Sequence, residues 1–198
     1  MYYRLVTLAC LLKVFITLAA ASESAPYDVT NSYETYEERH YPARKWVSTM
    51  GFGISWDAVQ RAMFDRLFNY IDGQNEMGIK IDMTSPVTTF VQPGDGPDSE
   101  LFNFTMSFLI PEVHISDTPV PSNSEVFIEE RPDLPSVLVR QFPGFAHDVD
   151  FIRQAAELAS DIQAAGEENI NMDTCYLVGY DSPFDIFNRR NEIWFIRN

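Results

Sequence analysis

Two stretches of the chain place apolar side chains at helical spacing. In the first, Val59, Met63, Leu67 and Tyr70 recur every three or four residues, and Phe64, Phe68 and Ile71 widen the stripe. Ser55 offers an N-cap oxygen, Asp57 suits the positive end of a helix dipole, and Asp72-Gly73 ends the run. The spacing predicts a helix over residues 56–71. In the second, Val149, Ile152, Ala156 and Ala159 form one row, Ala155, Leu158 and Ile162 form the next, and Gly166 follows. This predicts a helix over residues 148–165. Its alanine-rich stripe is flat, which predicts a close approach to the sheet beneath it.

Other stretches alternate with period two. Phe102, Phe104, Met106, Phe108 and Ile110 interleave with Asn103, Thr105, Ser107 and Leu109, the pattern of a half-buried strand. Ile79, Ile81 and Met83 interleave with Lys80 and Asp82, a second strand pattern. Residues 174–180 read as an apolar strand. Residues 92–97, with two prolines and two glycines, form a turn-rich connector, and residues 111–124 form a longer proline-rich linker.

The order of these elements occurs twice. Glu37-Glu38-Arg39 recurs as Glu129-Glu130-Arg131, each followed by a proline kink and an apolar run, Trp46-Val47 or Val137-Leu138-Val139. A helix follows in each half, then a strand pattern ending near Ser85-Pro86 or Ser182-Pro183, then a last apolar strand. Two units of strand, helix, strand and strand, at about 33–110 and 125–197, predict one α+β domain: a curved antiparallel sheet, two helices and a pseudo-twofold repeat.

Residues 1–21 break this pattern. They hold Arg4, Lys13 and no acid, run apolar on either side of Lys13, and end in three alanines before Ser22. The segment reads as a secretory signal peptide cleaved after Ala21, and it is short for a membrane span. The expectation is a secreted, extracellular protein of residues 22–198, not inserted in a membrane. Removing residues 1–21 takes the formal charge from −15 to −17. A field of that sign argues against nucleic acid or an anionic membrane as partner. Cys10 leaves with the segment, and Cys175 is left with no internal disulfide partner; it reads as a buried thiol in a strand, or as one that pairs with another chain. Asn103-Phe104-Thr105 is a glycosylation sequon on the polar side of its strand.

Catalytic motifs are scarce. His40, His114 and His147 lack zinc-site spacing, and the sequence has no nucleophile elbow, phosphate loop or dinucleotide fingerprint. Acidic neighbours such as Glu37-Glu38, Glu129-Glu130 and Glu167-Glu168 read as solvated faces, because adjacent strand residues point to opposite sides. The reading is a binding protein, not an enzyme. Aromatics make up 14% of the chain, enough for a ring-lined pocket as well as a core. Met63, Phe64 and Leu67 are candidates to line such a pocket, and they serve equally well as core. His40, in Arg39-His40-Tyr41-Pro42, stands where the second half has Pro132, so the repeat itself does not call for a histidine there. An imidazole at a kink among aromatics is a candidate axial ligand for haem iron, or an exposed loop histidine.

At these residues the sequence resembles the SOUL haem-binding protein family. The resemblance is carried by residues 36–41 with 45–49, by 79–87, by Val126-Phe127-Ile128-Glu129-Glu130-Arg131, by Gln141-Phe142-Pro143-Gly144-Phe145, and by 179–183 with 188–194. It implies a distorted antiparallel barrel with two helices and internal twofold symmetry. It also implies haem or porphyrin bound on an apolar surface beside the first helix, with His40 as proposed axial ligand in the branch that carries Arg-His-Tyr. That branch is also linked to a cell-death motif near the second helix, matched here by residues 158–162 with Gly166-Glu167. The competing reading is an extracellular interaction module on the same scaffold, without a cofactor. The compartment can be tested directly. N-terminal sequencing of the native protein should find Ser22 first, and recovery of Met1 or Tyr2 would refute export by cleavage.

Overall fold

The protein is described by a computed structural model covering residues 22–94, 99–181 and 188–198. Nine strands form one antiparallel sheet carrying two helices. The first half contributes β2 (Glu37–Tyr41), β3 (Arg44–Gly53), α1 (Trp56–Ile71), β4 (Val87–Pro93) and β5 (Phe102–Leu109). The second contributes β6 (Val126–Arg131), β7 (Leu134–Pro143), α2 (Asp148–Ala164), β8 (Ile170–Gly179) and β9 (Arg190–Arg197). β1 (Asp28–Ser32) precedes both and pairs at the edge with β2.

The strand order is β1-β2-β7-β9-β8-β4-β5-β3-β6. Apart from β1 the order maps onto itself when the halves are exchanged, with the pseudo-twofold passing between β8 and β4. Each half lends its first strand to the other: β2 pairs with β7, and β6 with β3. The sheet is curved and open, with β1 and β6 as its edges, so the barrel implied by the resemblance is not closed by a hydrogen-bonded ladder. The repeat unit also has one strand more than the sequence pattern predicts. The Glu-Glu-Arg triplets lie in strands of their own, and the proline kinks after them are crossovers that carry the chain from β2 to β3 and from β6 to β7, strands that do not pair with each other.

Both helices form where the apolar spacing places them, because capping chemistry agrees with the stripe. Ser55 accepts a hydrogen bond from the Ala58 N–H at 3.2 Å. Met63, Leu67 and Tyr70 pack inward on the sheet. The fit over β3 is tight: a Cβ on Gly51 would lie 2.5 Å from the Met63 sulfur, so a larger residue there would push the Met63 side chain aside. Residues 79–83 do not form a strand. They run extended past the end of α1, where the Ile81 N–H bonds to the Ile71 carbonyl at 2.8 Å and the Asn75 amide bridges the Tyr70 and Ile79 carbonyls. Ile81 is buried while Ile79 is exposed. The alternation there reports one-sided burial, with no partner strand alongside. β1 has the opposite character. All five of its residues are exposed, so it leaves no hydrophobic signature.

The sheet buries both faces. The convex face and the helices enclose the main core, including Leu67, Phe104, Met106, Phe108, Leu138 and Leu158. The concave face holds a second cluster of Tyr41, Val137, Val139, Tyr176, Val178 and Trp194. It also holds two arginines related by the pseudo-twofold. Arg39 stacks on Tyr27 at 4.2 Å and reaches across to Glu192 at 3.1 Å, while Arg131 stacks on Trp46 at 4.2 Å and donates to Ser107 at 3.1 Å and Thr88 at 3.2 Å. The strand registers make Glu192 the counterpart of Ser107. The polar side of β5 is therefore a second interior and not a solvated face, since Ser107 is fully buried.

Glu192 is also fully buried, and its two oxygens take donors from Arg39, Arg190, Tyr180 and Trp194. Burial opposes the charge of Arg39, but Glu192, with the Tyr41 hydroxyl and Glu37 beside it, outweighs that and raises its pKa. Removing one partner of such a pair leaves a buried unpaired charge, at a cost of about 3–5 kcal/mol. Glu192→Leu should therefore lower the urea unfolding free energy by about that amount, and adding Arg39→Met should recover part of it. A double variant as unstable as the sum of the singles would show that the two residues are not coupled.

Candidate ligand groove

A cavity of about 430 Å³ lies on the helix side of the sheet between the start of α1, one face of α2 and strands β4, β5, β8 and β9. Its volume falls in the roughly 300–1,000 Å³ range of small-molecule sites. α2 sets one wall. Phe151, Leu158 and Ile162 are its buried row, and the neighbouring row of Ile152, Ala155, Ala156 and Ala159 faces the groove. The alanine row does not close on the sheet: short side chains at the helix flank leave a slot that longer ones would fill. Phe102, Phe104 and Phe195 supply much of the opposite wall.

The groove mouth is held by a reciprocal cap. The Asp148 carboxylate accepts from the Trp56 and Asp57 N–H groups at 2.8 and 3.1 Å, and Asp57 accepts from the Asp148 N–H at 3.4 Å. Two helix N-termini brought together by the pseudo-twofold thus neutralise each other's dipoles through exchanged carboxylates. Ile54, Phe102 and Ile152, which line the groove, are exposed, and Val149 at the start of α2 is exposed as well, a grouping of large apolar side chains uncommon on a solvated surface.

On the concave side, the cavity among Tyr41, Trp46, Arg131 and Trp194 is about 10 Å³, the lower limit for a single water.

The candidate residues named from sequence do not converge. Met63 and Leu67 are buried in the main core and Phe64 packs edge-on against Phe108 with centroids 5.3 Å apart; none of the three lines the groove. His40 lies on β2, outside the groove, with Nε2 2.7 Å from Asp133 and Nδ1 3.9 Å from Asp28. Asn103 is half-buried in β5, between Phe52 and Gln92 on the flanking strands. Cys175 does line the groove, and burial pushes its thiol up to about 11, so little thiolate forms near neutral pH. Leu158 and Ile162, in the stretch matched to the cell-death motif, face the core. Ser182-Pro183 and residues 1–21 lie outside the described residues. Among the described residues no cluster of three metal-ligating side chains occurs. Sequence reading missed the groove itself, whose one advance signal was the alanine row of α2.

The profile of the SOUL heme-binding protein family matches residues 22–196. The chain belongs to this family. Heme-binding protein 2 of Mus musculus is 40% identical over 180 residues, covering 91% of this chain and 86% of its own. Heme-binding protein 2 of Homo sapiens is 41% identical over 173 residues, covering 87% and 83%. Among solved structures, the EcmrR C-terminal domain shares the fold with a TM-score of 0.58 at 9% identity, over 81% of this chain and 96% of that one. An uncharacterized conserved protein from Listeria innocua does so with a TM-score of 0.55 at 11% identity, over 81% and 91%.

The His40 geometry makes a titration prediction. The hydrogen bond to Asp133 raises its pKa, burial opposes this weakly, and the charges of Asp133 and Asp28 add to the rise. The imidazolium is therefore held to higher pH than an isolated histidine. Its small stabilising contribution is full below the unfolded-state pKa and is lost as pH rises through the folded one. NMR titration should place the His40 midpoint above the usual 6.5 or so, and Asp133→Asn should bring it down. A midpoint unchanged by Asp133→Asn would show that the contact is not formed in solution.

Proposed function

We propose that the protein binds haem or a related tetrapyrrole in the groove, performs no catalysis of its own, and acts outside the cell after loss of residues 1–21. The observation that carries this reading is the 430 Å³ apolar groove between the two helices, in a chain whose relatives are named heme-binding proteins. The residues suit the apolar part of such a ligand. Phe102, Phe104, Phe195 and the alanine row of α2 present rings and flat aliphatic surface to a planar macrocycle. When bound, the group would supply a flat apolar face and a metal centre.

Iron ligation by His40 would be a second mode of binding, separate from the groove, because His40 lies outside it. There Nδ1 keeps its lone pair while Nε2–H donates to Asp133, and rising pH favours the neutral imidazole that such ligation needs. Retention by apolar contact alone needs no rearrangement, and it is the simpler form of the reading. A glycan on Asn103 belongs to the same exported state.

The test is a haemin titration of the purified chain 22–198. A saturable Soret shift at one site per chain is expected. Ala156→Trp, a substitution at an exposed position of the groove wall, should weaken it by about tenfold or more, or about 1.4 kcal/mol. His40→Ala should leave the melting temperature within error, as most exposed substitutions do. It should remove a nitrogen-ligated spectrum only if haem also binds at His40, outside the groove. Unsaturable binding would refute the proposal. It would favour the second reading, an interaction module, for which the exposed Ile54, Phe102, Val149 and Ile152 are the specific support.

A further inference from the structure

The duplicated fold departs from its own symmetry at the groove. In the first half, β4 and β5 pair without interruption from Thr88↔Ser107 to Pro93↔Phe102. In the second half, β8 and β9 pair at Asn171↔Ile196 and resume at Tyr176↔Trp194. Residues 172–175 therefore stand opposite Phe195 alone, a wide bulge in β8. All four of them, and Phe195, line the groove. Such bulges re-aim side chains, and this one turns Met172, Asp173, Thr174 and Cys175 together onto one wall.

The charge of that lining has one sign. Asp173 stands on the bulge and Asp148 at the mouth, and among the described residues no lysine, arginine or histidine lines the cavity. The whole chain is acidic as well. A ligand carboxylate directed into the groove would lose water, meet apolar side chains and face like charge, with no cation to offset either cost. The same wall accepts a methyl or vinyl edge without penalty.

Building on the groove as the tetrapyrrole site, we infer that it reads the edge of the macrocycle. It takes an edge free of carboxylates and leaves the acidic edge in solvent. Protoporphyrin, with its two propionates side by side, can present such an edge. Coproporphyrin I, with a propionate on each of its four rings, cannot. The protein is therefore selective for tetrapyrroles that have already lost the carboxylates of two adjacent rings, and it excludes their more acidic precursors.

Metal-free porphyrins test this without any contribution from iron. Binding of protoporphyrin IX, coproporphyrin I and coproporphyrin I tetramethyl ester to chain 22–198 is followed by porphyrin emission. Protoporphyrin should bind saturably, coproporphyrin at least about tenfold more weakly, and the tetraester should regain most of the difference. Asp173→Lys, at an exposed position on the bulge, should strengthen coproporphyrin binding, and Ala156→Trp should weaken protoporphyrin binding. Equal affinity for the two acids, or a tetraester that binds no better than coproporphyrin, overturns the edge selection and leaves the haem reading standing. Protoporphyrin binding untouched by Ala156→Trp moves the ligand out of the groove and also overturns it. Failure of haemin itself to saturate removes the reading on which the inference rests, and the inference with it.

Discussion

Each half of this protein gives its first strand to the other. β2 completes the β7 side of the sheet and β6 completes the β3 side. This exchange is the constraint from which the remaining structure follows. A half taken alone would expose an unpaired strand edge and a helix packed on an incomplete sheet. Together the halves bury both faces of one continuous sheet, with β4 and β8 pairing across the pseudo-twofold. The exchange also delivers the arginines. Arg39 travels on a first-half strand to meet second-half Glu192, and Arg131 travels the other way to meet Ser107 and Thr88.

The two arginine sites show how a duplicated architecture diverges. Both guanidinium groups lie over aromatic rings on the concave face, which suits a planar, weakly hydrated cation. One has a fully buried carboxylate as partner and the other has hydroxyls and the half-exposed Glu129. The second-half residues that close the Glu192 network, Arg190, Trp194 and Tyr180, also fill the concave interior. The groove lies on the helix side. There the halves differ again: the first helix packs Met63 against Gly51, whereas the second keeps a row of alanines and stands over a bulged strand.

Met63 and Leu67 are candidates for a pocket because they are large, apolar and helical, and those same properties place them in the core and away from the groove. A groove is made by what is missing from a wall, and Ala155, Ala156 and Ala159 carry no distinctive chemistry in one dimension. His40 was conspicuous because the repeat puts proline at its counterpart. Its surroundings, Asp133 from the connection between β6 and β7 and Asp28 from β1, depend on strand pairings that no local pattern announces.

The sequence alone determined both helices, because period 3.6 and a stopping glycine, with a capping serine at the first, are local and mutually consistent. It determined the long β5 strand by its alternation and the internal repeat by the order of its elements, and recurrent motifs along nearly the whole chain identified the family. Tertiary structure alone decided which alternations became strands. Residues 79–83 alternate because one side is buried, yet no neighbour pairs with them, and β1 pairs without alternating. It also decided that the polar side of β5 is interior, since Ser107 is polar in sequence but enclosed once β3, β4 and β6 close around it. Pairing, enclosure and empty space are relations between distant segments, and those relations exist only once the halves have exchanged their strands.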